Sequence, residues 1–237
     1  MDETPSTSPA APQWKPLSAK QRRVLGTLME KSKTTPDAYP MSYSGLMTGC
    51  NQKSNRAPIS NYSLEQVEAI VDELRAMGAA TIVQGSGRVT KVRHNAYAWL
   101  GIQKVEGAIM TELLLRGEQT LGELRTRASR MEPIADLDEL KRILDSLKQR
   151  DLVVDLTPPG RGQMITHNLY PEWELETVRK SVAAGVATSV SGDDDADGGA
   201  AANPVEAMRL QQELEALRAA FEALAGRVQK IESELGL

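Results

Sequence analysis

Residues 64–97 read LEQVEAIVDELRAMGAATIVQGSGRVTKVRHNAY, and residues 137–170 read LDELKRILDSLKQRDLVVDLTPPGRGQMITHNLY. The two stretches align without a gap at a constant offset of 73, and nine of the 34 positions are identical. In each copy the apolar residues first recur at three- and four-residue steps, which predicts an amphipathic helix. Two β-prone runs then flank a turn rich in glycine or proline, which predicts a β-hairpin. The chain therefore contains a repeated unit in which one helix leads into one hairpin.

The segments before these two stretches also repeat, more loosely. An opening helix is predicted in each, with apolar faces formed by Val24, Leu25, Leu28 and Met29 in the first and by Ile109, Met110, Leu113 and Leu114 in the second. A second short helix follows over Ser42–Asn51 in one copy and over Thr120–Arg130 in the other. Three helices and a hairpin, repeated, are typical of tandem winged helix–turn–helix domains. The predicted fold class is thus mainly α with small β-hairpins.

Composition divides the remainder of the chain. Residues 1–16 are rich in proline, serine and threonine and are expected to be disordered. The first winged-helix domain is assigned to residues 17–100 and the second to residues 101–176. A low-complexity linker is predicted over residues 177–204, followed by a coiled coil over residues 205–237.

The coiled-coil prediction depends on a strict heptad pattern. Apolar residues near the end of the chain alternate in steps of four and three, which is the spacing that two helices need to wrap around each other. We therefore expect a parallel homodimer. Its dimerisation residues are Leu210, Leu214, Leu217, Phe221, Leu224, Val228, Ile231 and Leu235.

Catalytic and cofactor chemistry is not indicated by the sequence, so we expect no enzyme, no cofactor and no metal. There is no phosphate loop, dinucleotide fingerprint or nucleophile elbow. The two histidines, His94 and His167, occupy equivalent repeat positions, which favours a shared structural role. The single cysteine, Cys50, cannot form an internal disulfide, and we expect a half-buried free thiol. The N-terminus lacks the apolar segment of a secretory signal, which favours a cytoplasmic protein without a membrane span.

Double-stranded DNA is one candidate partner. Residues 13–176 carry 22 basic and 20 acidic side chains, a net charge of +2, within a chain of net charge −4. The helix from residue 64 is acidic, whereas its counterpart from residue 137 is more basic, so the second domain is better suited to contact phosphates. The candidate nucleic-acid-binding residues are Arg88, Lys91, Arg93, Arg125, Arg127, Arg130, Lys141, Arg142 and Arg161.

A protein partner is the alternative. The loop between the second and third helices of domain one is about five residues longer than its counterpart in domain two. Its six consecutive hydrogen-bonding residues, two of them cations, would suit a phosphate or the carboxylates of a partner. With the acidic third helix this loop would form a docking surface on an interaction scaffold. The candidate loop residues are Asn51, Gln52, Lys53, Asn55 and Arg56.

Several of these runs resemble one bacterial family. TTPDAYP at residues 34–40, CNQKSNR at 50–56, LLLRG at 113–117 and GELRTR at 122–127 closely resemble the YceH-like proteins, uncharacterised protein family 0502. The resemblance covers about residues 17–171 and implies a tandem winged-helix fold, but no activity. Ala57 and Ala128 depart from the family pattern, where an acidic residue and a threonine are usual. The first departure counts against any site that needs a carboxylate in this loop.

Overall fold

The structure, a computed structural model, describes residues 14–84 and 89–189. The coiled-coil prediction for residues 205–237, with its dimerisation residues, lies outside the described residues, as do residues 190–204 of the predicted linker. The same holds for Arg88 and for the turn at residues 85–87. None of the described helices is long and apolar enough to cross a membrane.

Copy 1 contains helices and short strands that begin and end close to the predicted positions. Ser18, Ser42 and Ser63 cap three of its helices by accepting backbone N–H bonds, which satisfies donors that have no partner within the helix. Its elements are α1 (Ala19–Thr34), a 3-10 turn (Pro36–Ala38), β1 (Met41–Ser42), α2 (Tyr43–Cys50), α3 (Leu64–Ala76), β2 (Ala80–Gln84), β3 (Thr90–His94) and α4 (Ala96–Leu100).

Copy 2 follows the same order. Thr120 and Asp136 cap two of its helices in the same way as the serines of copy 1. Its elements are α5 (Lys104–Arg116), β4 (Gln119–Thr120), α6 (Leu121–Ala128), α7 (Leu137–Gln149), β5 (Val153–Asp155) and β6 (Met164–His167). In each copy the strand before the second helix adds to the hairpin, which gives antiparallel sheets of order β1-β3-β2 and β4-β6-β5. The described chain is thus mainly helical with two small antiparallel sheets.

Asn95 and Asn168, which are equivalent in the repeat, make the same contact in both copies. Gly78 and Asp151 end α3 and α7 in the left-handed conformation, with φ of 78° and 55°. The side-chain amide of Asn95 donates to the carbonyl of Gly78 at 3.3 Å, and that of Asn168 donates to the carbonyl of Asp151 at 3.0 Å. In both copies, therefore, the same hydrogen bond stabilises the left-handed turn between the third helix and its hairpin.

The two copies share one continuous hydrophobic core. All described residues belong to one compact unit, and α1 is buried around its whole circumference from Gln21 to Glu30. Helix α1 packs on α5 along Gly26, where a Cβ would lie 3.0 Å from two Leu115 side-chain atoms. The boundary predicted near residue 100 therefore separates two repeats that pack together, and their first helices form the centre of the fold.

Two composition-based predictions are wrong in part. Trp14 packs against the core, although residues 1–16 were expected to be disordered. Helix α8 (Glu172–Ser189) continues into the segment predicted as a linker from residue 177. In both places local composition misleads because a partner distant in sequence stabilises the segment. Just before the predicted linker, Glu174 pairs with Arg22 on α1, and Val182 within it is only 7% exposed.

Candidate nucleic-acid interface

Helix α7 and the loop from β5 to β6 form one surface. Together they line a groove of 410 Å³, with Lys141 and Lys148 from the helix and Gly160 from the loop. The floor of the groove is apolar and includes Leu144, which is 2% exposed. Two lysines on one helix face beside a hairpin loop are an arrangement that can contact the phosphates of a duplex.

The charges on this surface are partly compensated. Lys148 lies 2.8 Å from Asp155, and Lys141 lies 3.4 Å from Asp138. Arg142 and Arg161 are exposed and have no ion pair or side-chain hydrogen bond with any residue that the structure describes. These two arginines are therefore the freest cations among the predicted contacts of copy 2.

The three arginines predicted on or after α6 have internal partners instead. The Arg125 guanidinium donates to the carbonyl of Ala135 at 3.2 Å, and so ties α6 to the segment before α7. Arg127 donates to Gln119 at 2.7 Å and to Glu123 at 3.0 Å. Arg130 is more than half exposed and lies 3.9 Å from the Glu112 carboxylate. Arg125 and Arg127 thus stabilise copy 2, and only Arg130 extends largely into solvent.

Helix α3, the counterpart of α7, carries the opposite charge. Glu65, Glu68, Asp72 and Glu73 are exposed on it, and its one cation, Arg75, is 2.7 Å from Asp72. On the neighbouring strand β3, Lys91 is half-buried and Arg93 is exposed. Phosphates would be repelled by the face of α3, as the sequence indicates.

The polar loop of copy 1 is a structural clasp rather than an open surface. The Arg56 side chain is 0% exposed, so its prediction as a binding residue is wrong. Its guanidinium donates to both carboxylate oxygens of Glu30, at 2.6 and 3.1 Å, and to the carbonyl of Gly49, at 2.9 and 3.1 Å. A bidentate pair of this kind fixes the loop against α1 and the end of α2.

The remaining loop residues hold the same clasp, which we define as residues 51–58. Asn51 exchanges two hydrogen bonds with the backbone of Tyr62, at 2.8 and 2.9 Å. Gln52 accepts from Arg56, and Asn55 adopts a left-handed φ of 59° while its side chain accepts from Arg116. Of the loop residues predicted to bind a partner, only Lys53 is exposed.

The clasp joins the two copies. The N–H of Ala57 donates to the carbonyl of Leu115 at 3.0 Å, and the Asn55 side chain bonds to Arg116, both on α5. The nearby Glu112 carboxyl is buried, and burial raises its pKa although Arg116 and Arg130 oppose the change. The extra length of this loop thus lets it cross from copy 1 to the first helix of copy 2.

Both histidines have the structural role that the repeat predicts. The Nδ1 of His94 accepts the N–H of Ala96, and the Nδ1 of His167 accepts the N–H of Leu169, both at 3.2 Å. Burial, with Lys33 and Arg93 nearby, lowers the pKa of His94 to about 4. Burial lowers the pKa of His167 well below its ordinary value. Neutral imidazoles are therefore part of the folded hairpins.

Sequence reasoning missed the residues that make the clasp work. Glu30 and Glu112 lie inside helical segments, where a charged residue is usually assigned to the solvent face. Cys50 is wholly buried rather than half-buried, with its Sγ 3.6 Å from the Thr27 hydroxyl. The apolar periodicity of α1 covers only part of its surface, so nothing in that pattern reveals that α5 buries the polar side as well.

Comparison with known proteins identifies the family. The family model described as "Protein of unknown function, DUF480" matches residues 17–161. A UPF0502 protein of Rhodopirellula baltica is 54% identical over 193 residues, which cover 80% of this chain and 81% of its own. The chain belongs to the UPF0502 family. A UPF0502 protein of Burkholderia cenocepacia is 35% identical over 242 residues, covering 100% of this chain and 96% of its own.

The resemblance noted in the sequence is thus confirmed. The part of this UPF0502 protein that matches the family model includes the clasp, both third helices and the hairpin of copy 1. A UPF0502 protein of Geobacter sulfurreducens, 43% identical over 163 residues, covers 67% of this chain and 74% of its own. The matching family model assigns no activity to its members.

Proposed function

We propose that this UPF0502 protein is a tandem winged-helix protein that associates with double-stranded DNA through copy 2, without catalysing a reaction. The order of helices in each copy, with a short strand completing the hairpin sheet, supports the winged-helix assignment. In such domains the third helix approaches the major groove and the hairpin loop approaches the backbone. Helix α7 and residues 156–163 would then form the contact surface.

The observation that carries this proposal is the position of the free cations. Arg142 on α7 and Arg161 on the hairpin loop have no described partner, and Lys141, next to Arg142 on the helix, lines the groove beside the hairpin loop. Asp138 and Asp145 on the same helix weaken the attraction for a duplex, so we expect the unpaired Arg142 and Arg161 to carry the binding through phosphate contacts, which position a protein without reading bases. The expected binding is therefore of low sequence specificity and strongly dependent on salt.

A salt series on a random duplex of about 20 base pairs tests the proposal. Fluorescence anisotropy should show an affinity that falls by orders of magnitude between roughly 50 and 200 mM salt. Lys141→Ala/Arg142→Ala/Arg161→Ala should weaken binding on every sequence and reduce the log–log salt slope by about 2 to 3. The matched control, Lys20→Ala/Lys53→Ala/Arg179→Ala, removes three exposed cations elsewhere. It should retain most of the affinity and most of the salt slope.

Two outcomes would overturn the assignment. The first is an absence of binding at about 10 µM protein in low salt, where even non-specific contacts are strong. The second is an equal loss in both triple variants, which would show that net charge rather than this surface drives association.

A homodimer formed by the predicted coiled coil would present the surface twice. Sedimentation of the wild type beside the Leu217→Lys/Leu224→Lys variant tests whether that coiled coil forms.

A protein partner for copy 1 is the second candidate. Ile59 is 64% exposed and Leu64 is 37% exposed at the start of the acidic helix α3. Apolar residues beside carboxylates suit a basic amphipathic segment of another protein. When the wild type captures proteins from a cell lysate, the partner should stay bound after nuclease treatment. The variant Ile59→Asn/Glu65→Gln/Glu68→Gln should no longer capture it. If every captured protein is lost with nuclease, this candidate is excluded.

A further inference from the structure

A second groove lies between the start of α5 and α7. Its volume is 590 Å³, within the range of small-molecule sites, and its lining includes Val105, Ile143, Lys104 and Arg142. Val105 and Ile143 are half-buried and supply its apolar surface, while the two cations are exposed at its edge. From this arrangement we infer that the groove binds a small amphipathic carboxylate, with the apolar body on the floor and the carboxylate at the cations.

The repeat provides an internal comparison, because copy 1 closes the equivalent place. The helix caps Ser18 and Gln103 align α1 with α5 at an offset of 85, so Lys20 corresponds to Val105 and Gln21 to Glu106. In copy 1 the side-chain amide of Gln21 donates to the Glu73 carboxylate at 2.7 Å and bridges the two helices. Replacement of a lysine by Val105 therefore makes the copy 2 groove apolar.

Burial separates the two copies in the same way. Ile70 of copy 1 is 4% exposed, whereas its counterpart Ile143 is only half-buried. In copy 1 Glu73 bridges to Gln21 on α1. At the equivalent position copy 2 has Ser146, which lines the groove and bonds to Arg150 rather than to α5. The exposed apolar floor is thus specific to copy 2 rather than a general feature of the repeat.

The charges at the edge favour an anionic head group. The Glu106 carboxylate accepts the N–H of Gln103 at 2.7 Å and pairs with Arg150. Glu139 accepts the N–H of Ala135 at 2.7 Å. Arg150 thus balances the charge of Glu106, while Glu139 keeps its charge. Lys104 and Arg142 have no ion pair or side-chain hydrogen bond with residues 14–84 or 89–189, so with Arg150 the five charges leave the edge of the groove at about +1. A carboxylate can bond to these two exposed cations, because each of them retains its donors.

Displacement of a fluorescent probe tests the inference. Anilinonaphthalene sulfonate combines an aromatic body with an anion, and its emission should rise when it enters the groove. Dodecanoate should displace it, whereas dodecyltrimethylammonium, with the same chain and the opposite charge, should be much weaker. Lys104→Gln/Arg142→Gln should reduce the affinity for both anions at least about tenfold, and the matched control Lys20→Gln/Arg179→Gln should leave it unchanged.

A second variant tests the floor without touching the proposed DNA contacts. Val105→Asn replaces part of the apolar floor by a neutral polar side chain and should also cost at least about tenfold in probe affinity. Its melting temperature should stay near that of the wild type, since Val105 is only half-buried. Equal displacement by the cationic amphiphile, or wild-type affinity in either groove variant, would overturn the inference. Because no DNA is present, these results are separate from the test of DNA association.

Discussion

The clasp provides the sharpest test of this structure, through Arg56→Ala. The substitution removes a side chain with 0% exposure and leaves Glu30, whose side chain is 11% exposed, without its bidentate partner. Loss of one partner of a buried ion pair costs about 3–5 kcal/mol, because the remaining charge stays desolvated. Lys31 lies 3.7 Å from the same carboxylate and compensates part of the loss. We therefore expect a destabilisation of about 3 kcal/mol, at the lower end of that range.

Urea unfolding followed by circular dichroism measures this loss. With ordinary urea slopes, a change of about 3 kcal/mol moves the midpoint by at least about 1 M. Lys53→Ala is the matched control in the same loop, and it should change stability by less than about 0.5 kcal/mol because Lys53 is exposed. Arg56→Met/Glu30→Leu should be less harmful than Arg56→Ala, since an apolar pair leaves no buried charge.

An Arg56→Ala variant within about 1 kcal/mol of the wild type would contradict the burial of this ion pair. That result would place the guanidinium in water, and residues 51–58 would again be a candidate binding surface. A double variant that is less stable than Arg56→Ala alone would show instead that packing around the pair, rather than the buried charge, governs the cost.

Three further predictions concern buried groups. Burial lowers the pKa of His94 to about 4 from 6.5, so below pH 6.5 the unfolded chain binds more protons than the folded one. This group alone should lower the stability by up to about 3 kcal/mol between pH 6.5 and pH 4, and His94→Gln should make the profile of urea midpoints shallower, while the contribution of His167, whose pKa is also lowered, remains. Burial raises the pKa of the Cys50 thiol from 9.0 to about 11 and also blocks access to it, so labelling by a thiol reagent at pH 8 should be at least about 100-fold slower in the native state than in urea; equal rates would contradict its burial. Gly107→Ala places a Cβ 2.3 Å from the Tyr97 ring and should cost about 1–3 kcal/mol in thermal unfolding, whereas Gly122→Ala on α6, with open space around it, should be neutral or stabilising.

Much of the fold is determined by local sequence. Periodicity places α3 and α7, and the capping residues Ser63 and Asp136 mark their first turns. These signals are readable because a helix or a hairpin satisfies most of its backbone hydrogen bonds within itself. The candidate DNA surface was partly readable for the same reason, since Lys141 and Arg142 lie on the exposed side of a periodic helix.

The tertiary structure alone decides which polar residues are exposed. By its sequence alone, the polar run from Asn51 to Arg56 suits a solvated loop as well as a buried one. The contact that distinguishes the two is distant in sequence, since Arg116 on α5, which donates to Asn55, is 61 residues away. Arg125 and Arg127 look like surface cations until the carbonyl of Ala135 and the amide of Gln119 are placed beside them. Local periodicity by itself thus determines the repeated helices and hairpins of this protein. Burial of a charge depends on the summed positions of all groups around it, and only the packing of the elements within each copy and between the two copies specifies those positions.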